Sequence, residues 1–508
     1  MPASENLFDV LFSRVQSGEL DKQKVCTETG EGKQYSYADL IASSAKYANA
    51  LVSVGVVEGD RIAVQVDKSV EKLILYLAAL RMGAIFLPLN TAYTLNELDF
   101  FIGDAQPSLI VCGTSLENSI KAIARKAKVL TLDADGTGSL PDSAKEQSDK
   151  FETVARAADD LAAILYTSGT TGRSKGAMLS HENLASNVRA LYKVWQFSED
   201  DVLLHALPIF HTHGLFVACN LTFFSGASMI FFTKFDADKL LAQMPRATVL
   251  MGVPTFYTRL LDHSEFTYEL ASSMRLFISG SAPMTVEVHK RFTERTGNVV
   301  LERYGMTEIS MCCSNPCEGE RRQGTVGRPL PGVKVRVAHP ETGERLNANE
   351  VGVLEVKGPN VFKGYWQLPE KTAQEFRDDG FFITGDLVTR SQDGYVTIVG
   401  RSKDLIISGG FNVYPKEIEQ VLDELEGVKE SAVIGVPHPD WGEGVVAAIV
   451  PEGESLSEAE MMDILKNNLA AYKLPKRFVY VDELPRNSMA KVQKQVLRNE
   501  FKTLFADI

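Results

Sequence analysis

At 508 residues the chain exceeds what one ordinary hydrophobic core organises, so roughly two to four domains are expected. Hydrophobic residues at 44% and charged residues at 23% exclude a disordered or fibrous protein. The net charge of -13, with no dense Lys/Arg run to offset it, argues against a nucleic-acid partner.

Residues 1–15 lack the basic start and unbroken apolar run of a secretory signal. The longest apolar stretches are interrupted by Arg81, Pro88 or glycines before reaching membrane-spanning length. A soluble cytoplasmic protein is expected. The six cysteines are sparse, which suits a reducing compartment. Only Cys312, Cys313 and Cys317 cluster, and neither a Cys-x-x-Cys pair nor a nearby His completes a zinc set.

In chain order, a strand is expected over 61–66, a helix over 70–82, and strands over 85–89 and 109–112. Strands separated by helices of this length imply parallel α/β layers with right-handed crossovers. The polar, Gly/Asp/Ser-rich segment 134–148 reads as a surface connection. A buried strand over 161–165 follows. From 324 to 400 the pattern changes to short strands between Gly, Pro, Asn and Asp turns (333–337, 352–356, 394–399), a small β-rich subdomain. After 401 come a helix over 415–424, strands over 431–436 and 445–450, and a helix over 458–469, which together suggest an α+β domain of about a hundred residues. The expected fold class is therefore α/β, with a large N-terminal domain over 1–400 and a small α+β domain over 401–508.

Residues 166–176 read YTSGTTGRSKG directly after the 161–165 strand. Gly169 and its neighbouring glycines let backbone N–H groups approach an anion, Thr167, Ser168, Thr170 and Thr171 add hydroxyls, and Lys175 adds a cation. That chemistry suits a polyphosphate. A Walker loop requires Gly-Lys-Ser/Thr, whereas Arg173 and Ser174 separate Gly172 from Lys175, and Gly176 stands where the Walker hydroxyl belongs.

The segment resembles the signature loop of the adenylate-forming superfamily, which includes AMP-forming acyl-CoA synthetases. Five further blocks agree in order: FHTHG at 210–214, SGSAP at 279–283, YGMTE at 304–308, Gly385-Asp386 with GRSKD at 400–404, and PRN at 485–487 leading to Lys491. The resemblance implies that a carboxylate attacks the α-phosphate of ATP and that a thiol, here coenzyme A, then displaces AMP. Catalysis of this kind rests on alignment and charge stabilisation. By resemblance, Thr307 touches phosphate and Glu308 helps hold Mg²⁺, a hard cation that prefers oxygen. Tyr304 stacks on adenine, flanked by Ser281, Ala282 and Pro283, with Gly305 and Met306 alongside. Asp386 takes the ribose hydroxyls, and Arg401 lies beside ribose and phosphate. Lys491 bridges the carboxylate and α-phosphate, with Lys494 the second choice. Lys403 is the hinge for domain rotation, and Gly409 and Gly410 let pantetheine pass. The sequence departs from the family at Ala490, where Gly is usual and where an αL backbone would strain Ala. Such loops are acetylated in some relatives, so a lysine acetyltransferase acting on Lys491 is an expected partner.

The acyl pocket is unusual. His211, Thr212 and His213 offer two imidazoles and a hydroxyl, with His213 placed among the catalytic residues. Arg303 stands where many relatives have glycine. A buried Arg is costly unless an anion pairs with it. That anion is either a second carboxylate on the substrate, gripped by the planar guanidinium, or an internal acid such as Glu302. LERYGMTE at 301–308 with HTHGL at 211–215 is similar to the malonyl-CoA synthetases, which implies malonate or methylmalonate as substrate, with Met311 limiting the α-substituent. The alternatives are another short or aryl acid, loading of a carrier protein, or a non-catalytic binding homologue.

Overall fold

The computed structural model describes residues 5–167, 174–282, 284–408, 411–453, 456–469, 471–487 and 491–506, leaving aside the side chain of Asn412. Among the described residues the chain builds four sheets. The architecture is mixed α/β with a large N-terminal part and a small C-terminal one.

The first α/β layer is a six-stranded sheet in the order Lys128–Thr131, Leu109–Cys112, Arg61–Gln65, Ile85–Pro88, Leu161–Thr167, Lys175–Ser180. Its strands pair in parallel except the last two, which form an antiparallel hairpin. The helix Val70–Arg81 between two of these strands is largely apolar and buried along almost its whole length, Lys72 and Arg81 included, as suits a helix sandwiched between layers. Segment 134–148 departs from the expected surface connection. A helix forms over Ser139–Ala144, with Leu140 and Ala144 buried. Those two residues, four apart, share one helical face and pay for order in a stretch whose composition reads as loop.

The second layer has nine strands, and its centre runs parallel: Leu301–Met306, Leu276–Ser279, Val249–Gly252, Val202–His205, Ser228–Phe231. Ligand sites in such sheets lie beyond the carboxyl ends of the strands. Three of the sequence blocks lie at those ends: residues 206–214 follow Val202–His205, residues 280–284 follow Leu276–Ser279, and Thr307 with Glu308 follows Leu301–Met306.

An antiparallel four-stranded sheet, Lys334–Ala338, Gly352–Lys357, Phe382–Arg390 and Val396–Arg401, packs into the same continuous core. Gly385-Asp386, which reads as a turn, lies inside the strand Phe382–Arg390. Gly385 takes φ +72° there, and the register slips just beyond it, between Leu387 and Val388. The glycine makes the kink that aims Asp386.

The C-terminal sheet is built on a long hairpin, Val428–His438 with Gly442–Pro451. Alternate residues of the second strand serve different cores: Val445, Ala447 and Ile449 face one cluster, Val446, Ala448 and Val450 another. Burial on both faces gives this region cores of its own, distinct from the N-terminal core. No helix among the described residues is long and apolar enough to cross a membrane.

Candidate active site

Asp386 is drawn into the site by strand pairing. It lies opposite Arg401 across the 382–390 and 396–401 strands, and Arg401 Nε is 2.6 Å from its Oδ1. Tyr304 donates its hydroxyl to Oδ2, and the Asp386 amide donates to Thr384 Oγ1 at 3.0 Å. Asp386 is 2% exposed. Burial first, then the Asp386 charge, pushes the Tyr304 phenol well above its ordinary value. Tyr304 therefore stays a neutral donor.

Beside this group the three-residue turn Thr307–Ile309 presents Glu308. Its carboxyl is raised above the usual range by burial, and its Oε1 accepts from the Tyr365 hydroxyl at 3.1 Å. Thr167 Oγ1 stands 3.5 Å from the same oxygen. Lys175 Nζ lies 3.2 Å from Glu375. Ser168, Gly169, Thr170 and Thr171, with Pro283, Gly409, Gly410 and Ala490, lie outside the described residues. No cluster of three or more His, Cys, Asp or Glu able to hold a metal occurs among the described residues. A cation at Glu308 would therefore complete its shell with hydroxyl and phosphate oxygens, the donor set Mg²⁺ favours.

A second group of polar side chains begins where Val202–His205 ends. Lys68 Nζ approaches His205 Nδ1 at 3.0 Å, and since an ammonium only donates, Nδ1 accepts and Nε2–H donates to Gly214 O at 2.9 Å. This fixes the loop carrying His211, Thr212 and His213. A π-helical segment, His213–Cys219, starts there, a form concentrated at functional sites. The His211 ring is half-buried and held down at about 3, by burial first and then by Lys491 and Arg303. His213 is lowered well below its ordinary value by burial and Arg303. Both imidazoles are neutral near pH 7.

Arg303 is 3% exposed, and burial brings its guanidinium down to about 9. Its Nε and one terminal nitrogen, Nη2, have no hydrogen-bond partner among the described residues. Glu302 does not serve it. Adjacent strand residues point to opposite faces, and the Glu302 carboxylate accepts from Met284 N at 3.1 Å and binds His289 Nε2 at 2.9 Å. The internal pairing considered for Arg303 is thus ruled out for Glu302. Thr212 Oγ1 and His213 Nε2 are also buried without partners among the described residues. Met311, 2% exposed, is held by Asn187 through its backbone, O to Nδ2 at 2.7 Å and N to Oδ1 at 3.3 Å.

Lys491 completes the group. Asn487 braces it, with Lys491 N donating to Asn487 Oδ1 and Asn487 N to Lys491 O, both 3.0 Å. The residue is exposed. Its ammonium nonetheless feels Arg401, Asp386, Glu308 and Arg303, and burial first, then Arg401, lowers its pKa. Lys494 is engaged elsewhere, 2.5 Å from Glu419. Lys403 is exposed in the turn Ser402–Asp404, where neighbouring Asp404 meets Arg498 at 2.7 Å.

Ser281 adopts a left-handed conformation, φ +71°, with Oγ 3.3 Å from His213 Nδ1. Strain of this kind costs about 1 kcal/mol in a non-glycine residue. Ser281→Gly should therefore preserve or slightly raise the melting temperature while lowering kcat/KM through a less firmly held His213. Thermal unfolding and steady-state kinetics check both halves.

The sequence pattern of the AMP-binding enzyme family matches residues 12–366, and that of its C-terminal domain matches 417–491. The chain belongs to the AMP-binding enzyme family. This AMP-binding enzyme is 34% identical to a malonate–CoA ligase of Arabidopsis thaliana, over 93% of the chain and 85% of the relative. It is 36% identical to a feruloyl-CoA synthase of Amycolatopsis, over 92% and 94% respectively. Among solved structures it is 58% identical to MatB from Rhodopseudomonas palustris, with a TM-score of 0.96 to the ATP-bound form over 99% of the chain and 100% of that structure. The apo form of the same protein gives 0.87 at the same identity and coverage. As a family member close to the CoA ligases, the enzyme is an AMP-forming acid–CoA ligase that uses ATP and coenzyme A.

Proposed function

We propose that the enzyme joins malonate to coenzyme A in two steps. One malonate carboxylate attacks the α-phosphate of ATP, forming malonyl-adenylate and releasing pyrophosphate. The coenzyme A thiolate then attacks the acyl carbon, forming malonyl-CoA and releasing AMP. The observation that carries the choice of acid is Arg303, a buried guanidinium with two nitrogens lacking partners among the described residues. A second carboxylate supplies the anion that such a group needs. The 34% identity to a malonate–CoA ligase and the 58% identity to MatB support the same reading.

In this reading Arg303, Thr212 and neutral His211 bind the distal carboxylate, and Met311 bounds the space at the α-carbon. Tyr304, Ser281, Ala282 and Pro283 flank adenine, Asp386 and Arg401 hold ribose, and Thr167, the 168–171 loop, Lys175 and Thr307 receive the phosphates. Glu308 with Thr167 would hold Mg²⁺, which supplies positive charge to the phosphate oxygens when bound. Lys491 neutralises charge developing between the attacking carboxylate and the α-phosphate. Its bracing by Asn487 orients it for the first step. The 401–508 region then turns about Lys403, bringing Gly409 and Gly410 to the pantetheine arm for the second.

A panel of acids assayed for acyl-CoA product by mass tests the choice of substrate. Malonate should lead, followed by methylmalonate. Turnover of propionate or ferulate equal to that of malonate would refute the dicarboxylate reading and favour the aryl or simple short-acid alternative.

A further inference from the structure

Lys175 reaches the site in the company of an acid that no sequence block contains. Its side chain is mostly buried, with Nζ 3.2 Å from Glu375 Oε1 and 4.1 Å from the centroid of the Tyr365 ring. Glu375 caps the helix Pro369–Gln374. Its Oε1 also pairs with Lys371 Nζ at 2.9 Å, and its Oε2 lies 3.0 Å from the Tyr365 hydroxyl. That hydroxyl is 3.1 Å from Glu308 Oε1. Two carboxylates and one lysine thus meet around a single tyrosine.

An ammonium that neutralises polyphosphate cannot also keep its full interaction with a carboxylate about 3 Å away. The carboxylate and the phosphates compete for it, and being of like charge they repel each other across a partly dehydrated gap. We propose that Glu375 is a positioning residue that holds Lys175 as its counter-ion until the polyphosphate takes its place, and that it receives the lysine back as pyrophosphate leaves. This rests on the reading of Lys175 as a phosphate ligand. Glu375 then weakens the hold on pyrophosphate, and Lys371, by sharing Oε1, moderates that effect.

The arrangement gives two neighbouring substitutions opposite signs, which a scaffold role would not. Glu375→Gln removes the competing charge and should tighten pyrophosphate binding about fivefold, the size of a half-buried ion pair. Lys371→Met leaves Glu375 less neutralised and should weaken pyrophosphate binding about twofold. The measurement is calorimetric titration of the full-length enzyme with pyrophosphate in magnesium buffer, with Lys175→Met as reference. If Lys175→Met leaves the affinity unchanged, the phosphate reading of Lys175 is wrong. If Lys175→Met weakens binding but Glu375→Gln weakens it or leaves it unchanged, the exchange alone is wrong. Should Glu375→Gln fail to fold, Lys371→Met decides, because its side chain is 34% exposed on the helix surface; unchanged or tighter binding there overturns the proposal.

Discussion

Lys491→Met is expected to slow malonyl-adenylate formation about 10²–10³-fold, the usual cost of removing one charge-stabilising donor from a site. The second half-reaction, attack by coenzyme A on supplied malonyl-adenylate, should be largely intact, because in the proposed cycle the region carrying Lys491 has then turned away. The structure supplies the reason for choosing this lysine. Its ammonium feels the charges of Arg401, Asp386, Glu308 and Arg303, whereas Lys494 is tied to Glu419. Lys494→Met should therefore lower stability rather than the rate of adenylation. Pyrophosphate release measured against acyl transfer from synthetic adenylate separates the two steps. Equal loss in both would remove Lys491 from its assigned role.

Arg303→Met should lower kcat/KM for malonate about 10²–10³-fold, as when one partner of a buried, hydrogen-bonded charge pair is truncated. The loss for propionate should be much smaller, since that acid offers no second carboxylate. A second expectation concerns the fold itself. Arg303 is a buried cation with two nitrogens lacking partners among the described residues, so an apolar side chain of similar length should leave the melting temperature unchanged or higher. A variant that loses malonate and propionate equally would assign Arg303 to general architecture instead of to substrate choice.

Much of this was legible in the sequence where local pattern and structure coincide. Apolar runs bounded by Gly and Pro located Arg61–Gln65, Ile85–Pro88 and Leu109–Cys112 within a residue or two, because parallel strands buried on both faces are written as uninterrupted Val, Ile and Leu. The ordered blocks named Tyr304, Asp386, Arg401 and Glu308, and the fold joins Tyr304 and Arg401 to Asp386. Segment 139–144 was misread because Pro141, Asp142 and two serines dominate its composition, while only Leu140 and Ala144 carry its packing.

Glu375, Tyr365, Lys68 and His205 escaped for a different reason. Glu375 lies 200 residues from Lys175 along the chain and Lys68 lies 137 from His205, and no spacing rule connects residues joined only by tertiary folding. The one local hint was chemical: His205 stands at the end of an otherwise apolar strand, where a polar side chain must find a partner.

Gly280 carries a consequence for how such a pocket could change over generations. A Cβ at this position would lie 2.4 Å from Cζ of Arg303, so any side chain there requires the guanidinium to shift. The two sites are therefore epistatic, and the order of substitution matters. A side chain gained at Gly280 while Arg303 remains would displace the guanidinium, and with it the group proposed to choose the acid. Once Arg303 is lost that constraint disappears, so the absence of a single methyl group helps hold the guanidinium where it is.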